Sequence, residues 1–274
     1  MDGFVNLMDA LTSRWLPQAV IVFDIDGVVR DVSGSYRRAI ADTVHHFTDA
    51  QYRPTSEEID VLKAEGVWNN DWEASQELIK RFYQTQGVST QLPEYQAIID
   101  FFQSKYRGEN FNGYIKTEPL LMSQTYLEAL TQAKVAWAFF SGATRASAEY
   151  VLKGRMGLDQ FVLVAMEDAP GKPDPTGLFE ALTQLADRYG FLPDLSAPLN
   201  IPILYVGDTV ADMQTVVRAQ QIYPLQQWIG IGVIPPHVQQ RSSYAHLLQT
   251  AGAVATLDSV QLLSPMWLNT ELSL

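Results

Sequence analysis

Apolar residues come along this chain in short runs. Ala19–Phe23, Val135–Phe140, 161–164, 203–206 and Trp228–Val233 are rich in Val, Ile and Phe, with a weaker run at 253–256. Each is apolar at consecutive positions, which predicts a strand covered on both faces. Between most of them lie stretches of helical period, at 123–131, 143–156, Thr176–Tyr189 and 211–219. Strand alternating with helix predicts an α/β fold with a Rossmann-like parallel sheet and right-handed crossovers. No repeat with a period of about 20–50 residues and no low-complexity tract interrupts the order.

One interval breaks the rhythm. From 35 to 114 no strand pattern occurs. Tyr36, Ala39, Ile40, Val44 and Phe47 recur at helical spacing. Thr55 and Glu58 make a capping-box pattern after Pro54, and Gly66 closes that helix. Asp71 is placed to cap a helix carrying Trp72, Leu78, Ile79, Phe82 and Tyr83, which stops at Gly87. A last helix starts near Pro93, carries Ile98, Ile99, Phe102 and Tyr106, and stops at Gly108. The expected organisation is an all-α domain, 35–114, inserted after the first strand of a core made of 1–34 and 115–274. Residues 30–34 and 109–118 are its two expected hinges. Ahead of the first strand, Phe4, Leu7, Met8 and Leu11 are spaced for a short amphipathic helix. It reads as a packing helix or as an anchor, but Asp2 and Asp9 against Arg14 make it a poor partner for anionic lipid.

Composition narrows the function. The 274 residues hold 19 Lys plus Arg against 31 Asp plus Glu, a formal net charge of −12. Such an excess repels phosphate backbones, so nucleic acid is not the expected partner. No apolar run approaches the ~18–20 residues of a membrane span, and no membrane partner is expected. Met1-Asp2-Gly3 puts an acid where a secretory signal carries base. With no Cys in the chain, disulfides, thiolate metal sites and a cysteine nucleophile are excluded together. A cytoplasmic location is the expectation consistent with both.

The candidate chemistry sits where the predicted strands end. The first runs into Phe23-Asp24-Ile25-Asp26-Gly27, two acids at the carboxyl end of a buried strand, where open α/β sheets bind ligands. The fourth runs into Gly207-Asp208-Thr209-Val210-Ala211-Asp212, with Asp212 one turn into the next helix. Four carboxylates at one sheet edge repel each other; a hard divalent cation relieves that, and oxygen ligands suit Mg²⁺. Zinc is a poor alternative with no Cys and 4 His. The second strand ends in Ser141-Gly142, a hydroxyl and backbone N–H groups ahead of a helix, a small anion cradle. After the third comes Lys172, followed by Pro173. Carboxylates, hydroxyl with N–H groups, ammonium and a metal together make a phosphoryl-transfer site.

The order Asp24/Asp26, Ser141, Lys172, Asp208/Asp212 resembles the four motifs of the haloacid dehalogenase-like superfamily. The helical insert resembles the cap of its phosphoglycolate phosphatase-like branch. The late Gly252-Ala253 and Leu257-Asp258-Ser259 stretch is similar to that branch's C-terminal strand. The resemblance implies that Asp24 is a nucleophile forming an aspartyl-phosphate and Asp26 the general acid and then base. It implies that Ser141 and Lys172 hold phosphoryl oxygens. It implies Mg²⁺ bound by the Asp24 carboxylate, the Asp26 carbonyl and Asp208, with Asp212 direct or through water. Val28 departs from the Thr of many relatives, and Arg30 stands where a small or apolar residue is common. Arg30 reads either as a hinge feature or as a contact to an anionic substrate.

Within this resemblance, Asp26 argues against a dehalogenase, which needs no leaving-group acid. The cap lysines Lys63, Lys80 and Lys105 stand in no phosphonatase-like motif. The expected activity is hydrolysis of a small-molecule phosphate monoester, with a sugar phosphomutase as the alternative and a non-catalytic binding module behind it. Selectivity is expected in the cap, whose most unusual stretch is Gly66-Val67-Trp68-Asn69-Asn70-Asp71-Trp72. It reads as a turn with Asp71 as cap, or as a substrate-reading turn using Asn69 and Asn70. Arg37 and Arg38, near the first hinge, read as solvated charges or, for Arg37, as a partner for a second anionic group.

Overall fold

The computed structural model describes residues 15–68, 70–87, 92–191 and 195–272. The N-terminal segment read as an amphipathic helix, and Asn69, lie outside them. The core is one six-stranded sheet of β1 (Ala19–Phe23), β2 (Val135–Phe140), β3 (Leu163–Val164), β4 (Ile203–Gly207), β5 (Trp228–Val233) and β6 (Ala255–Leu257). All pairs are parallel and the order is β3-β2-β1-β4-β5-β6. Every residue of β1 is fully buried. Ala19, Ile21 and Phe23 enter one apolar cluster and Val20 and Val22 the other, on opposite faces of the sheet. That is why the run reads as unbroken apolar.

Four α-helices among the described residues lie between the two hinge segments: α1 (Tyr36–Phe47), α2 (Ser56–Ala64), α3 (Asp71–Thr85) and α4 (Tyr95–Tyr106). They form the helical cap. Ile40 and Val44 of α1, Leu78 and Ile79 of α3, and Ile98 and Phe102 of α4 supply its buried apolar side chains. The α2 capping box forms as the sequence predicts, with Glu58 N–H donating to Thr55 Oγ1 at 3.2 Å and Thr55 N–H to Glu58 Oε2 at 2.7 Å. The cap of α3 falls one residue earlier than expected. Asn70 Oδ1 accepts from the N–H groups of Trp72 and Glu73, and Asp71 is the first helical residue.

The remaining helices are α5 (Gln124–Gln132), α6 (Arg145–Glu149), α7 (Thr176–Tyr189), α8 (Val210–Ile222), α9 (Arg241–Thr250) and α10 (Pro265–Leu272). The helix expected over 143–156 begins at Arg145 and changes to π-helix over Tyr150–Arg155, so its apolar period does not stay α-helical. The strand expected at 161–164 pairs only at its last two residues, and the one at 253–256 is displaced to Ala255–Leu257. The two hinge segments run side by side: Asp31 N–H donates to Pro119 O and Leu121 N–H to Val29 O, both at 2.8 Å. No helix among the described residues is long and apolar enough to cross a membrane.

Candidate active site

The chain leaves β1 in one direction to build β2 and β3 and in the other to build β4, β5 and β6, so the strand order reverses between β1 and β4. A crevice opens at such a switch point, at the carboxyl ends of the strands. Phe23 is in register with Val206, and Asp24 N–H donates to Val206 O at 2.8 Å. This pairing sets Asp24 beside the Gly207-Asp208 strand end. One carboxylate oxygen from each of Asp24, Asp208 and Asp212 lies within 4.8 Å of the others. Close approach of the two loops needs Gly27. Its φ is +77°, and a Cβ there would stand 2.0 Å from Asp208 Oδ2.

Lys172 reaches in from the loop after β3. Its Nζ lies 2.8 Å from Asp24 Oδ1 and 2.7 Å from Asp212 Oδ1. Asp212, fully buried, takes two further hydroxyl bonds and one N–H. Tyr205 OH donates to Oδ1 at 3.1 Å, while Thr209 N–H and Oγ1 donate to Oδ2 at 2.9 and 2.6 Å. A carboxylate offers about four acceptor positions, and all four are taken. Asp212 therefore fixes Lys172 and the β4–α8 turn, with Thr209 and Asp212 forming a second capping box. Tyr205 and Thr209 escaped the sequence reading. The one available signal for Tyr205 was a hydroxyl inside an otherwise apolar strand.

The electrostatics follow from burial. Burial pushes the Asp24 carboxyl up to about 7 against the pull of Lys172, with Asp212 and Asp26 adding to the rise. Burial, then Asp212 and Asp24, hold Asp208 well above the usual carboxylate range. Burial opposes the charge of Lys172, yet Asp212 and Asp24 keep its pKa above that of an ordinary lysine. With all three carboxylates ionised, one ammonium leaves two negative charges uncompensated, which is part of what raises Asp24 and Asp208. Each like pair about 4 Å apart costs roughly 4 kcal/mol at an effective dielectric near 20.

The second strand end completes the crevice. Ser141 is buried, and its Oγ accepts from Ala143 N–H at 3.1 Å. The Gly142 N–H has no partner among the described residues, and nothing lies within 4 Å of where a Cβ would stand. An unpaired N–H facing open space beside a hydroxyl and an ammonium is a place for an anionic oxygen.

These features sit on a stretch that one family description covers. The haloacid dehalogenase-like hydrolase family matches residues 19–220. The chain belongs to the haloacid dehalogenase-like hydrolases. It is also 32% identical over 243 residues to an imidazoleglycerol-phosphate dehydratase of Phytophthora nicotianae, covering 87% of this chain and 47% of that protein. The chain thus spans about half the length of that curated relative. Among solved structures, a haloacid dehalogenase-like hydrolase from Bacteroides fragilis shares 20% identity at a TM-score of 0.60, covering 89% of this chain and 99% of that one. A phosphonoacetaldehyde hydrolase-like protein from Oleispira antarctica shares 14% at 0.66, covering 94% and 92%. At these identities the structures bear on the fold alone.

The haloacid dehalogenase-like site differs from the simple four-carboxylate picture at Asp26. Its carboxylate is not part of the three-acid group; Oδ1 accepts from Arg30 Nε–H at 2.7 Å and lies 2.6 Å from the NH2 nitrogen as an ion pair. Arg30 is fully buried and reaches Glu118 Oε2 at 3.0 Å through its other terminal nitrogen. Glu118 in turn accepts from Ser35 Oγ. Burial pushes Glu118 up to about 7, with Arg30 pulling the other way. Of the two readings of Arg30, the hinge is the one the contacts match. Glu118 was not singled out in the sequence, although an acid before Pro119 in an expected hinge was there to be seen.

The cap residues are drawn together less completely. Arg37 is buried, donates Nε to Asp60 Oδ1 at 2.7 Å, and meets His237 Nε2 on the loop after β5 at 2.8 Å. It spans cap and core instead of being solvated. Arg38 lies over the Tyr114 ring at 4.1 Å. Asn70 is taken by its capping bonds, and Asp71 pairs with Lys63 Nζ at 2.5 Å. Lys63 also lies over the Tyr36 ring, 5.1 Å from its centroid, and Asp71 and Asp208 both act on the Tyr36 hydroxyl. Tyr36, read in the sequence only for its helical spacing, is thus a polar cap group that feels the Asp208 carboxylate.

The donor set fits a magnesium-like ion. Oxygen ligands are hard, the uncompensated charge is that of a divalent cation, and Asp24 and Asp208 keep oxygens that Asp212 does not.

Proposed function

We propose that this chain is a Mg²⁺-dependent phosphatase that hydrolyses a small-molecule phosphate monoester through an aspartyl-phosphate. The observation that carries the reading is the buried Asp24 carboxylate at the switch point, 2.8 Å from Lys172 Nζ and within 4.8 Å of Asp208 and Asp212. Mg²⁺ held by Asp24, Asp208 and the Asp26 carbonyl, with Asp212 behind Lys172, would neutralise charge on the phosphoryl oxygens. Lys172, Ser141 and Gly142 orient those oxygens so that Asp24 meets phosphorus opposite the leaving oxygen. Asp24 forms the new P–O bond as the ester P–O bond breaks, and Asp26 gives its proton to the departing alkoxide. Asp26 then takes a proton from water as that water displaces Asp24, releasing phosphate, freeing Asp24 as a carboxylate and returning Asp26 to its protonated form.

The proposal extends to the cap, which spans 35–114: Arg37 and Asn69 would border the leaving group, while Asn70 caps α3. The enzyme acts in the cytoplasm, on neither nucleic acid nor membrane. A net charge of −12 supports a small substrate held by local cations over a polyanion. The name of the longer relative contains a small phosphate monoester bearing an imidazole, which supports the same substrate class here. Lys63 pairs with Asp71 at 2.5 Å, and none of the cap lysines Lys63, Lys80 and Lys105 stands in a phosphonatase-like motif. The test is phosphate release from a panel of monoesters at neutral pH with Mg²⁺, with Asp24→Asn as control. Interconversion of a sugar phosphate without phosphate release would replace this reading with the mutase.

A further inference from the structure

We propose that Arg30, clamped between Glu118 and Asp26, is a positioning residue. It fixes the Asp26 carboxylate for proton donation to the leaving alcohol and ties that carboxylate to both hinges of the cap. The inference rests on the reading of Asp26 as the acid, and it goes beyond it.

The geometry is specific. Arg30 Nε–H donates to Asp26 Oδ1 at 2.7 Å, and the NH2 nitrogen stands 2.6 Å from the same oxygen as an ion pair without a hydrogen bond. Oδ2 has no hydrogen-bond partner among the described residues. A guanidinium held on its other side by Glu118 fixes the position and direction of the Oδ1 contact, which a freely rotating point charge does not. The third contact, NH1 to Glu118 Oε2 at 3.0 Å, comes from the opposite hinge.

Burial makes a filler role a poor account. Arg30 is fully buried, and an apolar side chain of that volume would pack there without giving up hydration. The guanidinium instead joins Asp26 to a carboxylate of the second hinge. Its own backbone lies in the first hinge, where Gly27 N–H donates to Arg30 O at 2.9 Å and Asp31 N–H to Pro119 O at 2.8 Å. Glu118 lies in the second hinge, where it accepts from Ser35 at the start of α1 and where Arg155 holds its carbonyl. The Tyr106 ring, at the end of α4, lies 5.9 Å from the guanidinium carbon. A change in hinge angle displaces Arg30 and swings Asp26 with it.

The test uses the full chain and two esters that the wild type turns over, an alkyl phosphate and 4-nitrophenyl phosphate. A 4-nitrophenolate leaves without protonation and an alkoxide does not. Because the covalent intermediate follows departure of the alcohol, kcat/KM reports that step alone. Arg30→Met removes the clamp, and Arg30→Met/Glu118→Gln also removes the carboxylate that the first change strands. Arg30→Lys keeps charge and burial while reaching one carboxylate. The expected result is that kcat/KM for the alkyl ester falls at least tenfold more than for the aryl ester in the methionine variants. Asp26→Asn sets the full scale of that ratio, and Arg30→Lys falls between. Equal losses on both esters in the folded double variant or in Arg30→Lys, or no loss, would overturn the inference while leaving the site reading intact. Wild-type turnover that survives Asp24→Asn, or a wild type that turns over neither ester, would overturn the site reading and this inference with it.

Discussion

The strand ends and the cap face treat their polar residues differently. At the strand ends the polar groups are held by the sheet itself. Asp24 follows the last residue of β1, Asp208 and Asp212 flank the β4–α8 turn, and the parallel register brings them within 4.8 Å. In the cap, the polar groups nearest the crevice have structural work first. Asn70 caps α3, Asp71 holds Lys63, and Arg37 joins Asp60 to His237. Under the proposed function, chemistry shared by every substrate would rest on rigid elements, and selectivity would rest on helices whose side chains also hold the cap together. Each expectation below tests one side of that contrast.

The largest effect belongs to the strand ends. Asp24→Asn keeps the volume but an amide cannot attack phosphorus, so kcat should fall by at least about 10³-fold. Circular dichroism and the melting temperature check that the fold persists. Retention of a few per cent of wild-type turnover would remove Asp24 from the nucleophile role.

Asp208→Asn separates metal binding from stability. Losing one hard ligand should raise the Mg²⁺ concentration for half-maximal activity at least about tenfold. Stability in chelator should move the opposite way. The folded-state pKa of Asp208 lies above its unfolded value, so the folded state binds more protons between the two. That carboxyl therefore costs stability as pH rises through its folded pKa. The asparagine variant should melt higher than the wild type in chelator, by more at pH 8 than at pH 5.5. A lower melting temperature at pH 8 would show that Asp208 holds the turn through bonds rather than straining it by charge.

Asn70→Ala probes the cap. Two N–H groups at the start of α3 lose their acceptor, which costs about 0.5–2 kcal/mol and a few degrees of melting temperature. Both a small aryl phosphate and a larger ester should be affected alike. A change confined to the larger ester would return Asn70 to the substrate.

How far the sequence could be read follows the same division. Strands buried on both faces announce themselves as apolar runs, and a catalytic acid at a strand end has a fixed offset from that run. Asp24, Ser141, Lys172, Asp208 and Asp212 were legible for this reason. Local patterns also carried the Thr55–Glu58 capping box. Contacts set by tertiary structure were not legible. Arg37 and His237 are 200 positions apart, and nothing in the sequence says that they meet. The same holds for Arg30 with Glu118, and for Tyr205 with Asp212 before its helix direction is known. The π-helix at Tyr150–Arg155 has no local signature in an apolar period that suits an α-helix equally well.

The smallest expected effect concerns the join between the two regions. Arg37 of the cap meets His237 Nε2 of the core at 2.8 Å, and that nitrogen can accept only while the ring is neutral there. Burial, then the Arg37 charge, lowers the His237 pKa from its usual 6.5, against smaller pulls from Asp60 and Asp31. The unfolded chain therefore binds more protons than the folded one between the lowered value and 6.5. Stability from this contact is complete above about pH 6.5 and declines as pH falls through that window. His237 is only half-buried, so solvent screens the interaction and the loss is small. For a chain of this size about 1 kcal/mol moves the melting temperature by roughly 2–4 °C, and less than that is expected here. His237→Gln keeps an acceptor for Arg37 and does not titrate. Its melting temperature should match the wild type at pH 7.5 and exceed it by about 1–2 °C at pH 5.5. Asp24→Asn combined with His237→Gln should show the same increment, because the join lies outside the strand-end cluster. If the wild type and His237→Gln lose stability in parallel between those pH values, the cap is held to the core by apolar packing and the hinges, and His237 is only a neighbour of Arg37.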